Sequence, residues 1–212
     1  MRSFSSRTAR LALRIGVHLL GTAPLLLLLW GYERSSLGPD PIGEMIRRTG
    51  RYALWFFLLS LLPTAIRKIS GYGGLVRVRR ALGLYAFAYA ALHLLAYVGL
   101  DYGFDLALLQ RSLGEERFIL LGLGAFVILL ALAITSTDGW IKRLGKNWQQ
   151  LHRLSYLAGA LVIIHYLWSF KEFRREPLMY GGALAALLLV RLPPLEALWQ
   201  RLRQAVVSWS GS

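Results

Sequence analysis

Four histidines, His18, His93, His152 and His165, fall within apolar stretches of a 212-residue chain that contains no cysteine. Imidazole relays protons near neutrality and binds metal through a neutral ring nitrogen, so its presence in hydrocarbon-like surroundings marks a site to be explained. Without thiols there is no disulfide, thiolate zinc site, cysteine-held iron–sulfur cluster or thioether-attached haem, and any metal takes other ligands. Zinc or iron bound without haem would want carboxylates beside the imidazoles, but Asp101, Asp105, Glu115 and Glu116 lie in a connection outside the apolar segments. No Ser–His–Asp set falls at a common depth, which leaves hydrolysis without support. Two readings of the histidines stand: axial ligands of haem iron, or polar contacts and proton relays between helices.

The elements that position them are membrane helices. Hydrophobic residues make up 56% of the chain and charged ones 17%. A bilayer-crossing helix needs about 17 to 25 apolar residues, because roughly 30 Å of hydrocarbon is covered at about 1.5 Å per residue. Six segments approach that length, at 15–32, 52–66, 81–100, 118–137, 151–170 and 178–192. The second and sixth are short and reach a span only with Arg51 or Arg191 snorkelling. The first carries no small-residue cleavage motif and is read as an uncleaved helix rather than a signal peptide. The fold class is therefore all-α, one six-helix transmembrane bundle over 1–212. The glycines of "GYGGLV" and "LGLGAF" lack the strand and helix that a nucleotide-binding turn needs, and read as a turn and as close helix contacts.

The net charge of +14 has a one-sided distribution. Sixteen Lys and Arg, from Arg2 to Arg203, fall in the N-terminal tail, the second-to-third and fourth-to-fifth connections and the C-terminal tail, with only Asp138 and Glu196 among them. The other side holds nine cations and nine acids. Cation excess marks the cytoplasmic side, so both termini are placed there, and the basic composition needs the lipid bilayer as partner but no nucleic acid.

On this topology the third and fifth spans run in the same direction. His93 and His165 then lie at similar depth toward the outer half, where opposed imidazoles can hold one haem iron. His152 precedes His165 by thirteen residues, roughly 20 Å along a helix and about 220° around it, so two stacked sites require either a distorted helix, with Gly159 as the candidate point, or offset cofactors. Counting fourteen back from His93 on the third span reaches Arg79 and not a histidine. Arg79 and Arg80 suit haem propionates or a flavin phosphate, or serve as inside anchors. His18, at the inner start of the first span, completes the lower site or, as preferred, makes a polar helix contact.

The chain resembles the MsrQ family, formerly YedZ, within the ferric-reductase-like transmembrane group. The resemblance rests on "LGPDPI" with "RRTGRYAL", "RVRRALGLYAFAYAALHLLAYV" around His93, "TSTDGWIKRLGKNWQQLHRLSYLAG" around His152, and "IIHYLWS" around His165. It implies a multi-pass protein of the bacterial inner membrane that binds one or two b-type haems through His93, His165 and His152, with FMN as a further cofactor. It implies electrons drawn from the quinone pool or a cytoplasmic flavin reductase and delivered to a periplasmic molybdopterin-containing methionine sulfoxide reductase subunit, for repair of oxidised envelope proteins. The chain itself would be a non-catalytic electron-transfer subunit. Arg79 departs from relatives that carry a second histidine on the third span. The competing readings are a self-sufficient membrane reductase, disfavoured by the missing nucleotide domain, and a cofactor-free transporter or scaffold. Any periplasmic docking falls on Asp101 to Arg117 and Lys171 to Glu176.

Overall fold

The computed structural model describes residues 7–170, 174–192, 195, 197 and 199–202, and these contain helices and turns but no strand. Arg2, Glu196 and Arg203 of the charge balance, and residues 171–173 of the second outer connection including Lys171, lie outside the described residues.

Helix α1 (Arg7–Glu33) is apolar on nearly every face and buries only Val17, Gly21, Leu28 and Gly31. Leu19, Leu26 and Leu27 point outward, as suits a helix whose solvent is lipid. Helix α2 (Pro41–Ser70) is twice the length of the 52–66 segment. Its start is built by "LGPDPI": Asp40 accepts the Gly43 N–H at 2.9 Å, and Pro41 stands at the first helical position, where a missing N–H costs nothing. Hydropathy alone misses its first turns because they hold Glu44, Arg47 and Arg48, which neutralise one another as ion pairs. Gly71, at φ 78°, ends the helix by donating to the Arg67 carbonyl.

A 3₁₀ turn (Gly74–Val78) leads into α3 (Arg79–Leu95), which continues as a π-helical segment (Ala96–Asp101). A short α4 (Leu106–Glu115), capped by Asp105, precedes α5 (Arg117–Ile134). Then come α6 (Asp138–Leu144), α7 (Lys146–His152), α8 (Leu154–Trp168) and α9 (Arg175–Leu189). Among the described residues, four helices are long and apolar enough to cross a membrane: α1, α2, α3 with its flanking turns, and α5. Helices α8 and α9, over the fifth and sixth expected spans, have 15 residues each.

The two most extensive helix pairings are α2 with α3 and α5 with α8, and α3 also touches α5. The core lies mainly between α2 and α3, where Phe56 stacks on Tyr89 at 5.4 Å and 3°. Contacts between elements sort the charges by end. Arg80 meets Asp138 at 2.6 Å, joining the start of α3 to the start of α6, and Arg191 donates to the Leu61 carbonyl at 2.7 Å. At the opposite end Arg51 meets Glu176 at 3.3 Å, and Arg111 meets Glu115 at 2.8 Å.

Candidate functional site

His93 on α3 and His165 on α8 come together with ring centres 6.2 Å apart and ring planes at 83°. Nδ1 of His93 lies 2.9 Å from the Ile46 carbonyl, and Nδ1 of His165 lies 2.8 Å from the Phe118 carbonyl. A carbonyl can only accept, so both Nδ1 atoms carry the proton, and in the neutral ring Nε2 is left with the lone pair that binds metal. Such a bond on the far nitrogen fixes ring orientation and raises ligand basicity.

The helix facing each histidine is cleared by a glycine. A Cβ on Gly50 would stand 3.0 Å from the His93 ring, and one on Gly122 would stand 2.8 Å from the His165 ring. Gly122 belongs to "LGLGAF" and is thus the close helix contact expected of it. Both arrangements follow one rule. The carbonyl lies 47 residues before its histidine in each hairpin, and the clearing glycine lies one turn beyond the carbonyl. These backbone groups and glycines are the parts of the site that reading side chains alone overlooks; the equal Gly-to-His spacing, Gly50 to His93 and Gly122 to His165, is the signal that marks them.

With a metal–nitrogen bond of about 2.0 to 2.1 Å and a ring centre roughly 1.1 Å behind the nitrogen, two imidazoles on one ion have centres about 6.3 Å apart. The observed separation and the fixed tautomers fit haem iron held from both sides. Among the described residues no three His, Asp or Glu side chains converge. Asp105 is occupied with capping α4, accepting from Ala107 and Leu108, and Glu115 with Arg111.

His152 ends α7, near the opposite end of α8. Its ring stacks on Trp148 at 3.9 Å, and its Nε2 lies 3.3 Å from Oγ1 of Thr135. Thr135 donates its own proton to the Ala131 carbonyl at 2.7 Å, and Trp148 donates to the Thr135 carbonyl at 2.9 Å. The helix break between His152 and His165 falls at Arg153, the one residue between α7 and α8. It does not fall at Gly159, which is buried against Leu184 and Phe57. The reason is packing: Gly159 admits a close neighbour, while the turn bonds at Arg153 reset the helix.

Arg79 lies close enough to His152 for its charge to act on the imidazole. Its guanidinium reaches Thr64 at 3.5 Å, as His152 reaches Thr135. Arg79 in the α2–α3 hairpin and His152 beside α8 thus each reach a threonine earlier in the chain, across 15 and 17 residues respectively. Arg191 adds a second cation, stacked over Tyr156 and bonded to its hydroxyl at 3.3 Å, with Nε buried and unbonded. Arg80 is turned to Asp138. His18 is exposed, and its Nδ1 pairs with the Tyr85 hydroxyl at 2.9 Å. No hydrogen bond or ring contact among the described residues joins it to His152.

Residues 49–164, more than half of the chain, match the family described as ferric reductase like transmembrane component. The matched region takes in Gly50, His93, Gly122 and His152 and stops one residue short of His165. No solved structure matches the chain.

Proposed function

The chain belongs to the ferric-reductase-like transmembrane family, and from that premise we propose that it is a membrane electron-transfer subunit whose His93 and His165 hold one b-type haem between them. The observation that carries the reading is the 6.2 Å separation of two imidazoles whose Nδ1 atoms are both spent on carbonyls. Haem held there by His93 and His165 would supply a one-electron iron couple, and two imidazole ligands would favour electron transfer over oxygen chemistry. The chain's own part is to fix the ligands. Ile46 and Phe118 hold the tautomers, and Gly50 and Gly122 admit the rings.

The finer reading draws on the MsrQ-like motifs. The reading of six spans with both termini cytoplasmic is supported by the excess of Lys and Arg over Asp and Glu on one side, against nine cations and nine acids on the other. Electrons would enter at the basic end, from the quinone pool or a cytoplasmic flavin reductase. They would leave at the opposite end to a periplasmic molybdopterin-containing methionine sulfoxide reductase subunit, with the chain in the bacterial inner membrane. In this scheme His152 would be one ligand of a second haem, for which the third span offers no second histidine. Arg79 and Arg80 are the cations for propionate or FMN phosphate oxygens, Arg80 being the one already shared with Asp138.

The test is a reduced-minus-oxidised visible spectrum of the chain purified in mild detergent, with haem quantified per chain. A low-spin b-type spectrum is expected in the wild type and in His18→Ala, and its loss in His93→Ala and in His165→Ala. A colourless wild type that stays colourless when haem is supplied would overturn the redox reading and favour a transporter or scaffold.

A further inference from the structure

At the basic end, one feature of the surface is unrelated to the histidines. Arg10 and Arg14 on α1 and Arg77 on the 3₁₀ turn line a cavity of about 230 Å³, whose floor includes Leu13, Gly74 and Val78. Arg10 and Arg14 are one turn apart on the same helical face, and like charges at that spacing repel. None of the three has a carboxylate partner among the described residues, whereas neighbouring Arg80 has Asp138. Three cations facing one cavity with no counter-charge call for an anion.

The surroundings say what kind. Leu11 and Ile15, beside the arginines on α1, are 57% and 50% exposed, and Leu19 and Leu20 continue outward-facing apolar surface along the helix. A ligand with a phosphate in the cavity and hydrocarbon running along α1 satisfies both halves. Basic pockets between helices at the membrane edge bind anionic lipid headgroups in this way. We propose that the Arg10–Arg14–Arg77 cavity is a binding site for the phosphodiester of an anionic phospholipid, with its acyl chains lying along α1. The lipid has a structural task. Helix α1 buries only four residues, and a phosphate bridging it to the 3₁₀ turn fastens its basic end to the bundle. The proposal does not depend on haem.

The test uses the full chain in detergent, with bound lipid read by native mass spectrometry and the melting temperature followed on adding phosphatidylglycerol or phosphatidylcholine. Phosphatidylglycerol is expected to remain bound and raise the melting temperature, and phosphatidylcholine to do neither. Arg10→Gln, Arg14→Gln and Arg77→Gln should each weaken retention about fivefold, the equivalent of about 1 kcal/mol for a cation near an anionic surface. Lys142→Gln/Arg143→Gln/Lys146→Gln removes three charges from α6 and α7 and should leave retention unchanged. Each single variant removes one charge and no buried apolar group, so the three together decide the matter even if one of them fails to fold. Equal response to both lipids, equal loss in the control variant, or displacement of the lipid by glycerol phosphate alone would each overturn the proposal, the last by making this a free-phosphate site. Haem spectra on the same samples keep this outcome separate from that of the redox reading.

Discussion

His93 and His165 are bound in the same way on two different hairpins, each giving its Nδ1 proton to a carbonyl 47 residues earlier on the helix it packs against. The other level is less regular, since Arg79 reaches Thr64 across 15 residues and His152 reaches Thr135 across 17. The two hairpins, α3 beside α5, thus match in their histidines at one level, and at the other carry an arginine and a histidine in different registers. This difference gives the two levels different chemistry within one scaffold.

The clearing glycines give a graded prediction. Gly122→Ala places a methyl group 2.8 Å from the His165 ring, and Gly50→Ala places one 3.0 Å from His93. Overpacking of this kind costs about 1–3 kcal/mol, or tilts the ring off its position. Haem content per chain is expected to fall in both variants, more in Gly122→Ala, whereas Gly139→Ala, in open space on α6, should match the wild type. Equal haem content in all three would show that the imidazoles are not confined by these helices.

A second prediction concerns Arg79 and His152. His152 stands thirteen residues before His165 and on the other side of the helix break at Arg153, so His152→Ala should retain the low-spin band that His93→Ala and His165→Ala abolish. Arg79→His installs the missing imidazole. The haem-to-chain ratio is expected to rise in that variant, and the gain to disappear in Arg79→His/His152→Ala. A ratio unaffected by Arg79→His would show that the inner level does not accept a second axial pair.

How much of this was legible beforehand differs by residue. The depth match of His93 and His165 follows from counting helical rises, and the structure brings them together. The glycines of "LGLGAF" were assigned to close contacts, where Gly122 and Gly124 lie. The true start of α2 was hidden because Glu44, Arg47 and Arg48 look too polar for a span until their mutual pairing is seen. The break at Arg153 was hidden because no proline or glycine marks it. The repeat itself escaped notice because what recurs is a carbonyl, a glycine and a spacing, and a carbonyl belongs to every residue type.

The cap of α2 carries a pH prediction. The Gly43 N–H, with help from Arg47, holds the exposed Asp40 carboxyl below the ordinary carboxylate range. A depressed carboxylate contributes stability above its unfolded pKa of about 3.9 and loses it as pH falls through the folded value. The melting temperature of Asp40→Ala is therefore expected to lie below that of the wild type at pH 7, with the gap closing as pH drops through 4 and below. A gap that stays constant down to pH 3 would assign the effect to backbone conformation rather than to the charged cap.

Tyr89 makes the final prediction because its hydroxyl does what a helix ordinarily does for itself. It donates to the Gly21 carbonyl at 2.7 Å and accepts from the Leu25 N–H at 3.1 Å, the two groups that an unbroken α-helix pairs directly. Pro24, between them, clashes with the carbonyl of the preceding turn and opens the ladder, and a side chain inserted there completes it. Gly21 also makes room for the Tyr85 ring, so α1 is pinned to α3 here. Tyr89→Phe keeps the stack on Phe56 and removes only the hydroxyl. The expected cost is about 1 kcal/mol, small because α1 can partly re-form its own bond, seen as a lower melting temperature with haem content unchanged. Pro24→Ala should restore the direct bond, so the combined Pro24→Ala/Tyr89→Phe variant is expected to lose less than Tyr89→Phe does alone. Strictly additive melting temperatures would show that the hydroxyl and the proline act independently, and that the inserted rung is not what joins the two helices.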